Sequence, residues 1–565
     1  MPGEGFSVET LSGLTKRQIL QRRQKKLWDD RSLWDKEYQL LADFFSPRSV
    51  RFEKDQSSDQ QRGRSAYSNI YDSTTLRARR VLNAGLMSGV TSPAREWVRL
   101  ALPDRDLMEF KPVQMWLSQS TRLMHDIFRA SNLYQALPPT YNNLSVFGTA
   151  CAFQEPDFDN VIHLFPTAVG EFALAQTERG VVDTIVRRFR MYAVDMARKF
   201  GVDALSPAAK RAVDNGNLWD RIPVVHVVQP NDGRDQRMLD NRNMAFESVW
   251  FEESGDTDEQ LLRQSGYRSF PGLTPRWSRP GGDVYGDSAG MEALGDSSQL
   301  MHEQLRKAQA IDYQTNPPLQ VPTAYKGQQV NRFPGGVMYV DAVGQNNRVS
   351  TAFDVNLRLD YLLADIQDIR TRINESFFVD LFLMIAQVER SNVTAREIAE
   401  KQEEKLLMLG PVLQALDNEL LEPLVNFTFD RMVETKILPP PPPELEGMPL
   451  SIEFMGILAQ AQRAVGISQV DRMIGTVTAV SQLKPETLDK LDTDQIVDVY
   501  ADMLGVDPSI IVADEDVAIV REQRAQAQQE AMAVEQGKTV ADTAKTLSET
   551  DPGGDSMLAA MTGNT

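Results

Sequence analysis

Apolar residues recur at helical spacing through much of this chain, and the points where that spacing breaks divide it into elements. Ile19, Leu20, Leu27, Trp34, Leu40 and Leu41 predict an opening helix that Pro47 stops. Polar and charged residues from Arg48 to Arg64 read as a loop, and helices are expected over Thr74 to Gly89 and Pro112 to Leu133. Between those two helices, Ser92-Pro93 marks a turn and Trp97 to Leu100 a short strand. From Val161 the period becomes alternating, so Val161 to Leu164, Gly170 to Gln176 and Val181 to Phe189 are strand candidates, with Thr177 to Gly180 as a hairpin turn. A second β-rich stretch, Ile222 to Phe251, is broken by the turn-prone Pro230-Asn231-Asp232-Gly233. Gly and Pro then crowd Pro271 to Gly286, a boundary by composition.

Past that boundary the pattern is helix, excursion, helix. Ser288 to Tyr313 predicts a helix that ends before Pro317-Pro318, because the residue before a proline avoids the α region. Thr315 to Ser350 holds four prolines and alternating apolar positions such as Val337, Tyr339 and Val343, a small β-containing excursion. From Asp354 to about Asp380, Val355, Leu359, Leu362, Ile366, Ile369, Ile373 and Phe377 form a one-sided helical seam. Beside it Arg358, Asp365, Asp368, Arg372 and Glu375 make a stripe of both signs, suited to pairing with neighbouring helices. The pattern leaves open whether the seam packs within one subunit or between copies. Gln387 to Asn392 is a polar interruption, after which Thr394-Ala395-Arg396-Glu397 matches a capping box. The helix it starts runs toward Lys436, with kinks expected at Gly410-Pro411 and Pro423, and stops in five consecutive prolines, Pro439 to Pro443.

As one straight helix, Asp354 to Ile437 would measure about 126 Å at about 1.5 Å per residue. A compact globule of this whole chain should be only about 60 Å across. The tract therefore folds back at its breaks or belongs to an elongated subunit completed by neighbours. Beyond Ser451 the pattern predicts short helices at Leu458 to Val465, Val470 to Val480 and Thr493 to Leu504. Asp514 to Gln536, rich in Ala, Gln and charge, reads as a helix with little core of its own before a flexible Gly553-Gly554 tail.

Composition narrows the function. A chain of 565 residues, 42% hydrophobic and 25% charged, can build a large core, and its α and β patterns together give an α+β class, mainly helical. The formal net charge of −19 opposes tight nonspecific binding to nucleic acid or anionic lipid, since that affinity comes from Lys and Arg. One local exception, Lys16, Arg17, Arg22, Arg23, Lys25 and Lys26, reads as a solvated helix face or a small basic surface. The single cysteine, Cys151, excludes an internal disulfide and a cysteine-rich zinc site. A signal-peptide pattern and an uninterrupted apolar run of about 18 residues are both absent, so no membrane partner and synthesis in the cytoplasm are expected.

Candidate chemistry is sparse. Gly286-Asp287-Ser288-Ala289-Gly290 matches the G-x-S-x-G elbow that exposes a nucleophilic serine. The elbow order of serine, acid and histidine leaves only His302 downstream, in the same predicted helix, while His163 and His226 sit in apolar strand-like runs. A helix-start signal explains the motif better than a serine hydrolase using Ser288. The chain has no G-x-x-x-x-G-K-[ST] loop and no H-E-x-x-H helix. The acid pairs Asp157/Asp159, Asp492/Asp494 and Asp514/Asp516 lack an EF-hand's glycine and distal glutamate. No catalytic residues, metal site or cofactor are expected.

The ordered features resemble one family, the portal or head-to-tail connector proteins of short-tailed bacteriophages. The resemblance rests on Tyr71-Asp72-Ser73-Thr74, Leu86-Met87-Ser88-Gly89, Ser92-Pro93 with Trp97, and Phe147-Gly148-Thr149-Ala150. It continues through Ser265-Gly266-Tyr267, Pro275-Arg276-Trp277, Tyr285-Gly286 with Ser288, and Asn316-Pro317-Pro318. Thr394, Glu397, Leu409-Gly410-Pro411, Glu419-Leu420-Leu421 with Pro423, and the proline run complete it.

It implies an elongated subunit in a ring, usually of twelve copies, at one vertex of an icosahedral head, with double-stranded DNA passing through the centre. The implied divisions are an arm and α+β wing over 1–287, a first stem helix over 288–314, a clip over 315–353 and a second stem helix over 354–380. A tunnel loop over 381–393, a kinked wing helix and proline-rich return over 394–455, a helical crown over 456–512 and a C-terminal helix and tail over 513–565 complete the chain.

The implied partners are the terminase large subunit, which supplies ATP-driven translocation, the tail adaptor, and the major capsid and scaffolding proteins. On this scheme Gln387, Glu389, Arg390, Ser391 and Asn392 would face the channel, Lys326 and Arg332 would lie in the clip, and the stripe from Arg358 to Glu375 would join stems. The competing readings are another structural virion component, an adaptor or internal core protein, and the hydrolase.

Overall fold

The computed structural model describes residues 13–51, 70–108, 110–235, 237–238, 240–253, 260–316, 318–321, 323, 326, 350–351, 360–388, 407–445, 448, 450–456 and 458, with short pieces between 473 and 539. Helix α1 (Lys16–Phe45) opens on a reciprocal cap, in which Gln18 N donates to Thr15 Oγ1 (3.4 Å) and Thr15 N to Gln18 Oε1 (3.2 Å). It ends two residues short of Pro47, and α2 (Thr74–Gly89) has the expected bounds. Strand β1 (Val98–Ala101) and α3 (Lys111–Ala130) follow. A further helix, α4 (Leu133–Phe147), carries Pro138 and Pro139 inside it. Both prolines are exposed, so the carbonyls they leave unbonded, those of Tyr134 and Gln135, lie on the wetter side of the helix, where solvent can satisfy them.

The strands form two main sheets. In the first, β2 (Ala152–Asp157) pairs with β3 (Val161–Pro166) and with the short β9 (Gly272–Leu273). In the second, β4 (Phe172–Gln176), β5 (Val182–Tyr192), β6 (Arg221–Pro230), β7 (Phe246–Glu252) and β8 (Arg263–Tyr267) make an antiparallel meander. Alternation along the strands gives this meander two apolar faces. Val186, Val225, Val227, Val249 and Phe251 pack under Leu20 of α1. Val224 and Trp250 pack under α5 (Ala193–Phe200) and α6 (Pro207–Asp214).

Half of the basic cluster in α1 is committed to this sheet, while Arg22, Lys25 and Lys26 form the solvated face. Arg17 is buried and donates to Glu252 O (2.8 Å), Lys16 pairs with Glu247 (2.5 Å), and Arg23 donates to Gln229 and Thr184. Such bonds offset the cost of taking a guanidinium out of water.

After a single turn at Ala289–Glu292, α7 (Leu294–Thr315) leads to β10 (Leu319–Gln320), which pairs antiparallel with β11 (Ser350–Thr351) and closes the base of the excursion. Helix α8 (Asp360–Ser376) then returns antiparallel to α7, because Arg372 meets Asp296 near one end while Glu303 meets Asp365 further along. The long tract bends at a place the pattern did not mark. Phe378 adopts φ 51°, and α9 (Val379–Val388) starts directly after it. Leu381 to Val388, expected as the opening of a loop, are helical, and buried Leu381 and Phe382 explain why: they join the core of α1, α2 and α4.

The helix resumes over residues 407–416 and runs unbroken through Gly410 and Pro411. It widens into a π turn at Asp417–Leu421 and continues as α10 (Glu422–Glu434). Pro423 has no N–H to bond back, and Glu422 N donates to Asp417 O across the widened turn. The proline run passes α3, where Trp116 Nε1 donates to Pro439 O (3.0 Å). It delivers β12 (Ser451–Phe454), which pairs with β1 and brings Glu453 to Arg99 (2.6 Å). Described pieces at 473–477, 495–496 and 517–529 are helical, and 517–529 are mostly exposed.

Candidate functional site: the helical hairpin and its joints

The seam expected on the second long helix is real and faces inward. Ile366, Ile369, Ile373 and Phe377 are buried in the core shared by Leu300 of α7, Ala78, Leu82 and Leu86 of α2, and Phe45 of α1. The seam therefore packs, over the described residues, within the subunit.

Three joints fix the hairpin and the long helix to the α+β body, and each joins segments far apart in sequence. At the first, the buried carboxylate of Asp72 precedes α2 and accepts at Oδ1 from Thr74 N (2.8 Å) and Thr74 Oγ1 (2.6 Å). Its Oδ2 accepts from Gln304 of α7 (2.8 Å) and from Arg370 Nη2 of α8 (2.7 Å). Burial alone would raise this carboxyl, but the bonds from Thr74 and Arg370 outweigh it and hold the group below the usual carboxylate range.

The second joint explains the G-x-S-x-G motif. Ser288 is fully buried, and its Oγ donates to Val146 O (2.7 Å) while accepting from Met291 N (3.0 Å) as a helix cap. Gly286 N donates to Thr149 Oγ1 (2.9 Å), and a Cβ at Gly290 would sit 2.6 Å from Val146 O. Gly148, at φ 72°, ends α4 and could carry no side chain without striking the backbone of Gly286. The motif is a backbone-to-backbone contact. The four histidines are placed elsewhere: His125 pairs with Val98 O (3.0 Å), His226 with Ser248 Oγ (2.9 Å), His163 lies beside Asn132, and His302 is exposed on α7, where its Nε2 accepts from Arg306 Nε (3.4 Å).

At the third joint the buried Arg276 grips Glu419 on the π turn. Nη2 donates to Glu419 Oε1 (2.5 Å) and to Gly180 O (2.7 Å), Nη1 to Gln176 Oε1 (2.8 Å), and Arg276 N to Glu419 Oε2 (2.9 Å). The pairs Asp72 with Thr74, Gly148 with Gly286, and Arg276 with Glu419 all fall within the motifs that carried the resemblance. Their sequence order made them recognisable, but only the fold shows that they meet.

The remaining candidate residues are distributed unevenly. Arg372 bridges Asp368 (2.7 Å) and Asp296 of α7 (3.1 Å), so this part of the stripe is satisfied inside the hairpin. Asp365 is exposed beside Glu303, whose carboxyl is raised by burial and by Asp365, against a hydrogen bond from Gln299. Glu375 is exposed on the same helix, Lys326 is exposed near the β10–β11 base with its N donating to Thr323 O (3.1 Å), and Gln387 lies in α9. Arg332, Arg358, Glu389, Arg390, Ser391 and Asn392 lie outside the described residues, as does the capping box at Thr394. Among the described residues no group of His, Cys, Asp and Glu is arranged to hold a metal, and no helix is long and apolar enough to cross a membrane. Sequence reasoning missed Asp72, Gln304 and Arg370 as a unit, since nothing local links residues so distant.

Against known proteins, residues 17–512 match the family model described as bacteriophage head to tail connecting protein. The chain is 48% identical over 551 residues to the probable portal protein of Bordetella phage BPP-1, covering 97% of this chain and 98% of that one. It is 42% identical over 548 residues to the portal protein of Salmonella phage epsilon15, with the same coverages. Among solved structures, a chain of the virion of a native gene transfer agent particle aligns over 76% of this chain and 98% of its own, at 12% identity and a TM-score of 0.31.

Proposed function

Because this chain belongs to the bacteriophage head to tail connecting family, the portal proteins, we propose that its copies form a ring, of twelve subunits, at one vertex of the capsid. Double-stranded DNA is packaged and ejected through the centre. The terminase large subunit and the tail adaptor dock on the ring, and the major capsid and scaffolding proteins are its further partners. The body up to residue 287 is the wing, α7 and α8 are the stem, 315–353 the clip, and the chain after α9 the tunnel loop. Residues 456–512 form the crown.

The full-length match to named portal proteins carries this reading. The hairpin supports it: Ile311 and Tyr313 near the end of α7 and Tyr361 and Leu363 at the start of α8 are all exposed, so the outer half of the hairpin offers apolar surface that adjacent stems would cover. Asp365 and Glu303 form an acidic pair that a basic side chain of the next copy would neutralise, while of the rest of the stripe Asp368 and Arg372 are paired inside the hairpin and Arg358 and Glu375 are left to reach a neighbouring stem.

In the channel, Gln387, Glu389, Arg390, Ser391 and Asn392 face DNA, and Lys326 and Arg332 mark the clip. Negative-stain microscopy of the purified protein tests the ring. A rotational axis with a central hole is expected; particles without a hole would favour an adaptor or internal core protein. Arg390→Ala should impair DNA packaging or retention while rings still assemble. An assembly defect alone would remove Arg390 from the lumen.

A further inference from the structure

The β2–β3 hairpin ends in Asp157-Phe158-Asp159-Asn160, and this tip is held in an unusual way. Phe158 is fully exposed at its apex. Val161 sits at φ 70° while Ile162 N donates to Asn160 O (2.8 Å), a γ-turn of the rare positive-φ kind centred on a β-branched residue. Strain of this sort persists only where the surroundings enforce it, and it gathers at functional sites. Asp157 Oδ1 accepts from Asp159 N (3.3 Å) and Oδ2 from Asn160 Nδ2 (3.4 Å), which leaves Phe158 outward and Asp159 without a cation among the described residues.

At the other end of β3, Pro166 borders an open surface cavity of about 530 Å³ that is also lined by Arg80, Pro138 and Pro139. Asn142 fixes its floor, donating to Ser49 Oγ (3.1 Å) and accepting from Arg79 Nη1 (2.7 Å). Arg80 is exposed and meets no carboxylate among the described residues. The strand separates tip from cavity by about 17 Å, at about 3.4 Å per residue.

We infer that the hairpin tip of one copy docks into this cavity on the next copy, with the Phe158 ring against Pro138 and Pro139 and the Asp159 carboxylate against Arg80. An aromatic knob flanked by acid meets a proline-walled socket that carries a base. Knob and socket are different surfaces at opposite ends of one strand, so in the proposed ring the contact runs head-to-tail from each copy to the next. The inference rests on the ring proposed above and names the surface by which neighbouring wings engage.

The chain has one cysteine, Cys151, which is buried, so engineered pairs report cleanly. Oxidised Asp159→Cys, Arg80→Cys double variant should run as a ladder of covalent oligomers on non-reducing gels, and neither single variant should. Arg80→Glu should raise the concentration needed for ring assembly at least about tenfold, and adding Asp159→Lys should restore it. Rings that give neither ladder nor rescue overturn the contact and leave the ring standing. A ladder that stops at dimer overturns the head-to-tail geometry. Native protein that forms no ring overturns the underlying reading and this contact with it.

Discussion

At Arg276 the guanidinium has almost no water, and its five donors are accounted for by Glu419, Gln176, Val284 O and Gly180 O. Removing one partner of such a pair strands the other, at a cost of about 3–5 kcal/mol. Glu419→Ala should therefore destabilise the chain by about that amount in denaturant unfolding, and Arg276→Lys should not substitute, because an ammonium cannot make the same fork. His226 shows the opposite case, a titratable side chain kept neutral. Burial, then Arg187, Lys199 and Arg263, hold it well below the ordinary histidine range, and Trp250 stacks on it at 3.9 Å. The unfolded chain takes up this proton near pH ~6.5 and the folded chain only further down. Below pH ~6.5 the unfolded state thus binds more protons, and stability is lost as pH falls. The protection factors of β6 and β7 amides, corrected for the intrinsic exchange rate at each pH, should fall on acidification below that point, and His226→Gln should flatten the dependence.

Among the elements, α9 depends on a single close approach. A Cβ at Gly85 of α2 would run into the ring of Phe382, so only glycine lets the two helices meet this closely. Gly85→Ala should lift α9 off the core while α8, held by Ile366, Ile369 and Arg370, stays in place. The expected signature is lost hydrogen-exchange protection over 379–388 with little change over 360–376; equal loss in both would mean that they unfold as one unit. How legible each element was follows from how local its cause is. The bounds of α2 and the stop of α1 before Pro47 were readable because capping and proline act within a few residues. Alternation made β4 to β7 of the meander readable, but not β8, nor in the other sheet β2 with Pro156 in it. Helix α4 was hidden by Pro138 and Pro139, whose effect depends on which side faces solvent, a tertiary fact. The β1–β12 pairing, the bend at Phe378 and the three joints were hidden because each is decided by a partner hundreds of residues away or by a packed core. The serine motif was legible as a pattern and misleading as chemistry, since its glycines answer to Val146 and Gly148 rather than to a substrate.

For the whole molecule, the balance of charge bears on how DNA would move. Each phosphate neutralised by a basic side chain adds affinity and contributes about −0.9 to the slope of log K against log salt concentration. In a chain of net charge −19 several cations are also committed internally: Arg17 to the sheet, Arg276 and Arg370 to joints, and Arg372 to the hairpin. A conduit lined mainly by acidic or neutral groups would let duplex slide, with only a few contacts such as Arg390, Lys326 and Arg332 to register it. Purified rings should then bind short duplex DNA weakly, with a salt slope of magnitude about 1–3. Arg390→Ala should lower that slope by about 1 if each ring presents one effective phosphate contact at this level. A slope of magnitude above about 6 in the native ring would instead require a continuous basic lining, and the acidic conduit would have to be abandoned.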